Sequence, residues 1–300
     1  MALALVCHAC ASVPPTHQQP PTLTELQTLT YSGLDDRLGP VTLERGRWMG
    51  APSAPGSASR PTVELADFHI AGDLDGDGID ESVVVLTYSP GGTGVLSYLA
   101  VVTRQGRTLH NTTTAALGDR VQIRSVRIAG GQLVVNAVRA GPDDAACCPG
   151  DLVDWQWTLG ASRLHTTGPV TTGRLSLSTL AGTVWTLRAW DIDEPAEVEP
   201  AVTLAYGDGH FTGTSGCNRY TANAVAGTTP GDVSVGLMAG TRMACPEPQS
   251  SVETRFVEQL SGARTFGFRL GRLAMSYTRA DGVRGTMLFD AATAESTRRH

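Results

Sequence analysis

Between Asp151 and Leu159 the chain reads DLVDWQWTL. Val153, Trp155, Trp157 and Leu159 alternate with Asp154, Gln156 and Thr158. A helix would scatter these apolar side chains around its circumference. An extended strand sends successive side chains to opposite faces and gathers them on one. The nonamer therefore predicts a half-buried strand, and the same reading recurs along the chain. Strands are expected at 82–88, 95–104, 120–129 and 132–139 in the first half. In the second half they are expected at 183–190, 201–206, 210–215, 233–237, 265–270, 272–277 and 285–289. Ala129-Gly130-Gly131 before Gln132 reads as a hairpin turn. A mainly β (α+β) fold class follows.

The chain has 300 residues, which at roughly 100–200 per domain sets two domains as the expectation. The expected division is a signal-like segment and tether over 1–20, a β-rich domain over 21–166, a linker over 167–178, a second β-rich domain over 179–291 and a tail over 292–300. Each domain shows one helical stretch. LTELQTLTY (Leu23 to Tyr31) spaces leucines at threes behind a capping box of Thr22 and Glu25. QSSVETRFVEQLSGA carries an apolar stripe of Val252, Phe256, Val257 and Leu260, a capping box at Ser250 and Glu253, and Gly262 as its stop.

The net charge of −6, with no basic run, argues against a nucleic-acid partner held through phosphates. All fixed side-chain cations are arginine; the chain contains no lysine.

The first residues, MALALVCHACASVPP, are similar to the end of a bacterial lipoprotein signal. An apolar stretch precedes Cys10, Ala9 meets the small-residue requirement for cleavage, and a proline-rich tether follows. The resemblance implies lipidation of Cys10 and an envelope location, periplasmic or at the outer membrane, with the lipid as the only membrane contact. Position 7 is cysteine where such signals carry leucine, and the missing basic n-region points to a start upstream of Met1. No other segment approaches the ~20 apolar residues of a spanning helix.

Beyond Cys7 and Cys10, four cysteines remain: Cys147, Cys148, Cys217 and Cys245. They allow three pairings. In an oxidising compartment the expected bridge is Cys217–Cys245, closing a loop worth about 3–4 kcal/mol on the chain-entropy account. For Cys147 and Cys148 a vicinal disulfide, an intermolecular bridge and a pair of buried thiols all stay open.

GDLDGDGIDE (Gly72 to Glu81) has the front half of an EF-hand loop, with Asp73, Asp75 and Asp77 at alternate positions and Gly78 next. Val84 stands where the bidentate Glu belongs, so the full EF-hand fails. Asp80 and Glu81 instead complete a shorter D-x-D-x-D-G-x-x-D pattern. Asp73, Asp75, Asp77, Asp80 and Glu81 are the expected ligands of a structural Ca²⁺; the competing reading is a solvated Asp-Gly turn.

No other motif points to catalysis. GTSGC (Gly213 to Cys217) lacks the final glycine of a nucleophile elbow. The seven histidines form no zinc-binding spacing. Asn218 and Arg219 read as turn residues, Asn tolerating left-handed backbone. Trp155 and Trp157 read as core.

In the second half, GTVWTL (from Gly182), FTGTSGCNRYTANA (from Phe211), TRMAC (from Thr241), the capped helix with FVEQL and the closing LAMSY…GTMLF come in the order of the META/HslJ family, which this half resembles from about Leu180 to Asp290. The resemblance implies a barrel-like antiparallel sheet packed around a single helix. It also implies links to heat-shock or antibiotic-stress responses, with no established reaction. The first half resembles a domain that accompanies envelope lipoproteins and brings no activity with it. The expected function is therefore a non-enzymatic, lipid-anchored envelope protein with a role in stress tolerance or maintenance, through a partner or ligand the sequence leaves unnamed. The alternative is a hydrolase or inhibitor acting at the cell wall.

Overall fold

The computed structural model describes residues 19–52, 56 and 58–292. Cys7 and Cys10 lie outside the described residues. The first half contains α1 (Leu23–Leu26), β1 (Thr30–Tyr31), β2 (Val41–Thr42), β3 (Arg47–Met49), β4 (Thr62–Gly72), β5 (Glu81–Ser89), β6 (Leu96–Gln105) and β7 (Thr108–Asp119). It continues with β8 (Gln122–Ala129), β9 (Gln132–Arg139), β10 (Asp151–Leu159), β11 (Leu164–His165) and β12 (Val170–Arg174). After a 3-10 turn at Leu177–Leu180 come β13 (Val184–Asp191), β14 (Glu194–Pro195), β15 (Thr203–Gly207), β16 (His210–Thr214), β17 (Arg219–Ala226) and β18 (Val233–Gly240). The chain closes with α2 (Gln249–Ser261), β19 (Ala263–Arg269), β20 (Arg272–Thr278) and β21 (Arg284–Ala291).

The first half is built on two five-stranded antiparallel sheets face to face, with β1 and β2 paired as a separate two-stranded sheet. One runs β3-β4-β5-β6-β7; the other runs β11-β10-β9-β8 with β12 added beside β10. Strand β5 shows why they pack. Its run Ser82-Val83-Val84-Val85-Leu86 is fully buried, so both faces are covered. Val83 and Val85 meet Leu133, Val135 and Trp157 of the second sheet. Val84 and Leu86 meet Leu26, Tyr31 and Leu43 from the N-terminal segment. Each fully buried Val or Leu contributes about 1.5–3 kcal/mol. On β10, Val153 and Trp157 enter the core as the alternation predicts. Trp155 stacks on Trp157 at 4.6 Å but stays partly exposed, its indole N–H donating to Thr166 Oγ1. The β8–β9 hairpin turns at Gly130 and Gly131, both with positive φ (58° and 70°), the backbone a two-residue turn of this hand demands.

The second half is one antiparallel sheet ordered β18-β17-β16-β15-β13-β21-β20-β19. It curls until an antiparallel bridge between Asp232 and Thr265 joins its edges. Helix α2 supplies Phe256 and Leu260 to the core so enclosed, both fully buried. The β-rich class with a barrel-like second half is as expected.

Three details differ from the expectations. Residues 170–174, expected in a linker, form a strand paired with β10 and extend the first half's sheet. Helix α1 stops at Leu26; its Thr22–Glu25 capping box forms, but Thr30 and Tyr31 turn extended to pair with Thr42 and Val41. The box expected at Ser250 and Glu253 does not form, because α2 starts earlier, behind Pro248, and Ser250 lies inside it.

The halves are joined through the β19–β20 hairpin. Gly271 N donates to Ile123 O at 3.0 Å, and Phe268 N donates to Gln122 Oε1 at 3.0 Å. Leu270 packs on the first half's core, and Val138 of β9 enters the second half's core.

Candidate functional site

The acidic loop connects β4 to β5. Its aspartates first satisfy the loop's own backbone. Asp73 accepts from Gly76 N at 2.7 Å and Gly78 N at 3.1 Å. Asp75 accepts from Asp77 N, and Asp77 from Ile79 N. Gly76 and Gly78 hold φ at 82° and 85°, which a side chain would strain. Glu81, at the start of β5, is only 2% exposed and accepts from Leu74 N at 2.8 Å. Burial pushes its carboxyl up to about 7; the Leu74 hydrogen bond opposes this, and the charges of Asp75, Asp77 and Asp73 add to it. Carboxylate oxygens of Asp73, Asp75 and Glu81 lie within 4.8 Å of one another. Asp77 and Asp80 are exposed and do not join that cluster. Three converging carboxylates, one buried and destabilised by the others, are a donor set that suits a hard divalent cation.

A second centre lies where β16 turns into β17. Cys217 and Cys245 are joined by a disulfide, their Cα atoms 6.3 Å apart. Beside it Asn218, 5% exposed, uses its whole amide. Its Nδ2 donates to Glu253 Oε2 at 2.9 Å and Met243 O at 3.3 Å. Its Oδ1 accepts from Met243 N at 2.8 Å and Thr241 Oγ1 at 2.7 Å. Ser215 Oγ, also buried, donates to Glu253 Oε1 at 2.8 Å. One glutamate from α2 thus receives both halves of the turn, which explains why GCNRY and TRMAC occur together. The left-handed residue here is Gly216 (φ 96°), not Asn218. A Cβ on Gly216 would sit 2.6 Å from Val252 Cγ1, so glycine lets α2 close onto the turn. Glu253, expected to cap α2, instead holds the turn after β16. Its one signal in the sequence is a carboxylate beside the apolar stripe of Val252, Phe256 and Val257.

A third centre is the Gly141–Gly150 loop. Cys147 and Cys148 are bonded to each other, which selects the vicinal disulfide among the alternatives. Asp144 Oδ2 accepts from Gly141 N at 2.7 Å and Gly150 N at 2.8 Å, cinching the loop's two ends. Arg174 of β12 pairs with Asp144 and, at 2.6 Å, with Asp151. These contacts hold the Asp144 carboxyl at about 2, the Arg174 hydrogen bond being the largest cause.

Finally, a cleft of about 630 Å³ opens between the two halves. Leu65, Val85 and Ile123 line it from the first half, Phe268, Leu270 and Ile192 from the second. Its backbone is irregular on both sides. The β4–β5 register shifts between Leu65 and His69, and β8–β9 shifts between Ile123 and Ser125. Arg120 (φ 49°) and Leu270 (φ 51°) also line it. Bulges and left-handed side-chain-bearing residues re-aim a wall and gather at ligand clamps. Glu81 is not among the lining residues.

Residues 178–289 match the META domain family, so the second half carries a META domain. No curated protein matches the chain. A solved NMR structure of a protein from Burkholderia xenovorans is similar at 28% identity over 39% of this chain and 86% of that one, with a TM-score of 0.30.

Proposed function

We propose that the chain, a META-domain protein over its second half, is an exported and lipid-anchored envelope protein that binds a ligand and catalyses nothing. The META domain is consistent with an envelope or stress-related role. The observation that carries the reading is the Cys217–Cys245 bridge. Such bonds persist in oxidising compartments and are rare in the cytosol. Lipidation falls to Cys10, whose flanking residues are similar to a lipoprotein signal. The non-catalytic reading is supported by how the reactive groups are used: Ser215 and Asn218 are buried and spent on holding α2, and the Cys217 thiol is bonded.

The acidic loop is assigned a structural Ca²⁺, held by Asp73, Asp75 and Glu81, with backbone carbonyls and water completing the six to eight ligands such an ion takes. The ion would neutralise the mutual repulsion of these carboxylates and pin the loop to β5.

The test of export and anchoring is fractionation of cells expressing the chain. The native protein should pellet with membranes and Cys10→Ser should leave the pellet. Equal partition of both would remove the anchor from the account.

A further inference from the structure

We propose that the cleft between the two halves binds a small amphipathic amine. The proposal rests on the reading of the chain as a binding protein and does not depend on export. The cleft's volume of about 630 Å³ fits a drug-sized molecule, for which sites span ~300–1,000 Å³ and occur preferentially between domains. Its floor is apolar and aromatic, built from Leu65, Val85, Ile123 and Phe268. This floor takes the apolar body of the ligand.

The charges decide the other end. Six charged side chains line the cleft. Glu64 is paired with Arg47, Arg120 with Asp119 and Arg272 with Asp290. That leaves Asp67, Asp193 and Arg269 without an ionic partner among the described residues, two negative charges against one positive. One free carboxylate comes from each half. Asp67 sits in the β4 bulge, which departs from the regular pairing between Leu65 and His69. Asp193 sits beside Ile192, which is 41% exposed at the hairpin tip between β13 and β14. Both carboxylates are exposed at the rim of the cleft, where an ammonium group satisfies this excess and a carboxylate adds to it.

The cleft also depends on how the halves are docked. Leu270 carries a left-handed backbone that glycine would adopt freely, and it packs on the first half's core. Its packing offsets the local strain and ties the second half's wall of the cleft to the first half.

Two probes that share a dansyl body test the assignment, dansylcadaverine with its primary amine and dansylglycine with its carboxylate. Each is titrated by fluorescence into the oxidised full chain. Dansylcadaverine should bind, and dansylglycine should bind at least about ten-fold more weakly, the worth of one charge-assisted contact. The double variant Asp67→Asn, Asp193→Asn should weaken dansylcadaverine by about ten-fold or more with an unchanged melting curve. Ile192→Arg, at an exposed position, should weaken it similarly by placing a cation at the mouth. Equal binding of both probes, unchanged binding by the double variant, or no binding of either probe would overturn the proposal. A failure here leaves the membrane-partition result for Cys10→Ser untouched, so the two readings fail separately.

Discussion

Asn218 donates its amide proton to Glu253 across 2.9 Å, tying the turn after β16 to the helix that fills the second core. The bond joins two stretches that are far apart in sequence. It sits beside the Cys217–Cys245 bridge, so one small region carries a covalent and a polar clasp together.

Asn218→Ala should therefore cost about 1–3 kcal/mol, because it strands Met243 N–H and one Glu253 oxygen in a partly buried place. Urea unfolding of the oxidised protein measures it. Asn218→Asp should cost more, since it sets a second carboxylate against Glu253. A loss below ~0.5 kcal/mol, the range of ordinary surface substitutions, would show that the network contributes no stability.

Cys217→Ser should cost about 3–4 kcal/mol, as expected for the 28-residue separation the bridge closes. Reductant should lower the stability of the native chain by a similar amount and leave Cys217→Ser nearly unchanged at this bridge. Equal sensitivity of the two proteins would assign the effect to Cys147–Cys148 instead.

The acid limb of stability should report Asp144. Its native carboxyl is held at about 2, below the value of 3.8 for a free side chain. A lowered carboxyl stabilises the fold above its unfolded pKa and loses that contribution as pH falls through the native one. The window is therefore about pH 4 down to 2. Arg174 is half exposed, so solvent screening limits the effect to about 1 kcal/mol. Asp144→Asn should flatten the stability profile in that window and leave it unchanged in shape above it, read from melting temperature against pH.

Calcium should raise the melting temperature of the native chain, and chelator should reverse the rise. A free concentration ~100 times the dissociation constant corresponds to about 2.7 kcal/mol. Asp75→Asn should abolish the shift, because Asp75 belongs to the converging cluster. Asp80→Asn should retain it, because Asp80 does not. A native melting curve indifferent to both calcium and chelator would leave the loop as a plain Asp-Gly turn.

Much of this architecture can be read from residues whose environment is uniform along a strand. Strand β10 falls where alternation places it, at Asp151–Leu159, and β9 lies at the expected Gln132–Arg139, a run whose consecutive apolar residues are buried on both faces. Strand β4 escapes the same reading because its bulge between Leu65 and His69 breaks the period of two. Strand β7 escapes it because its middle, Asn111-Thr112-Thr113-Thr114, is polar and gains its place through pairing with β6. The acidic loop is legible because its carboxylates are local in sequence. The sequence does not distinguish Asp73 and Asp75, which converge on Glu81, from Asp77 and Asp80, which do not; that depends on how the glycines turn the loop. The Asn218–Glu253 clasp and the cleft lie beyond local patterns. Phe268 and Gln122 meet across 146 residues, and no periodicity encodes such a meeting.

Peptide mapping without reduction, on protein taken from native membranes, bears on the central claim most directly. Cys217 should appear linked to Cys245, Cys147 to Cys148, and Cys10 should carry a lipid at the mature N-terminus. Free thiols at Cys217 and Cys245, together with an unmodified Cys10 inside a longer peptide, would contradict the account of an exported, disulfide-clasped envelope protein.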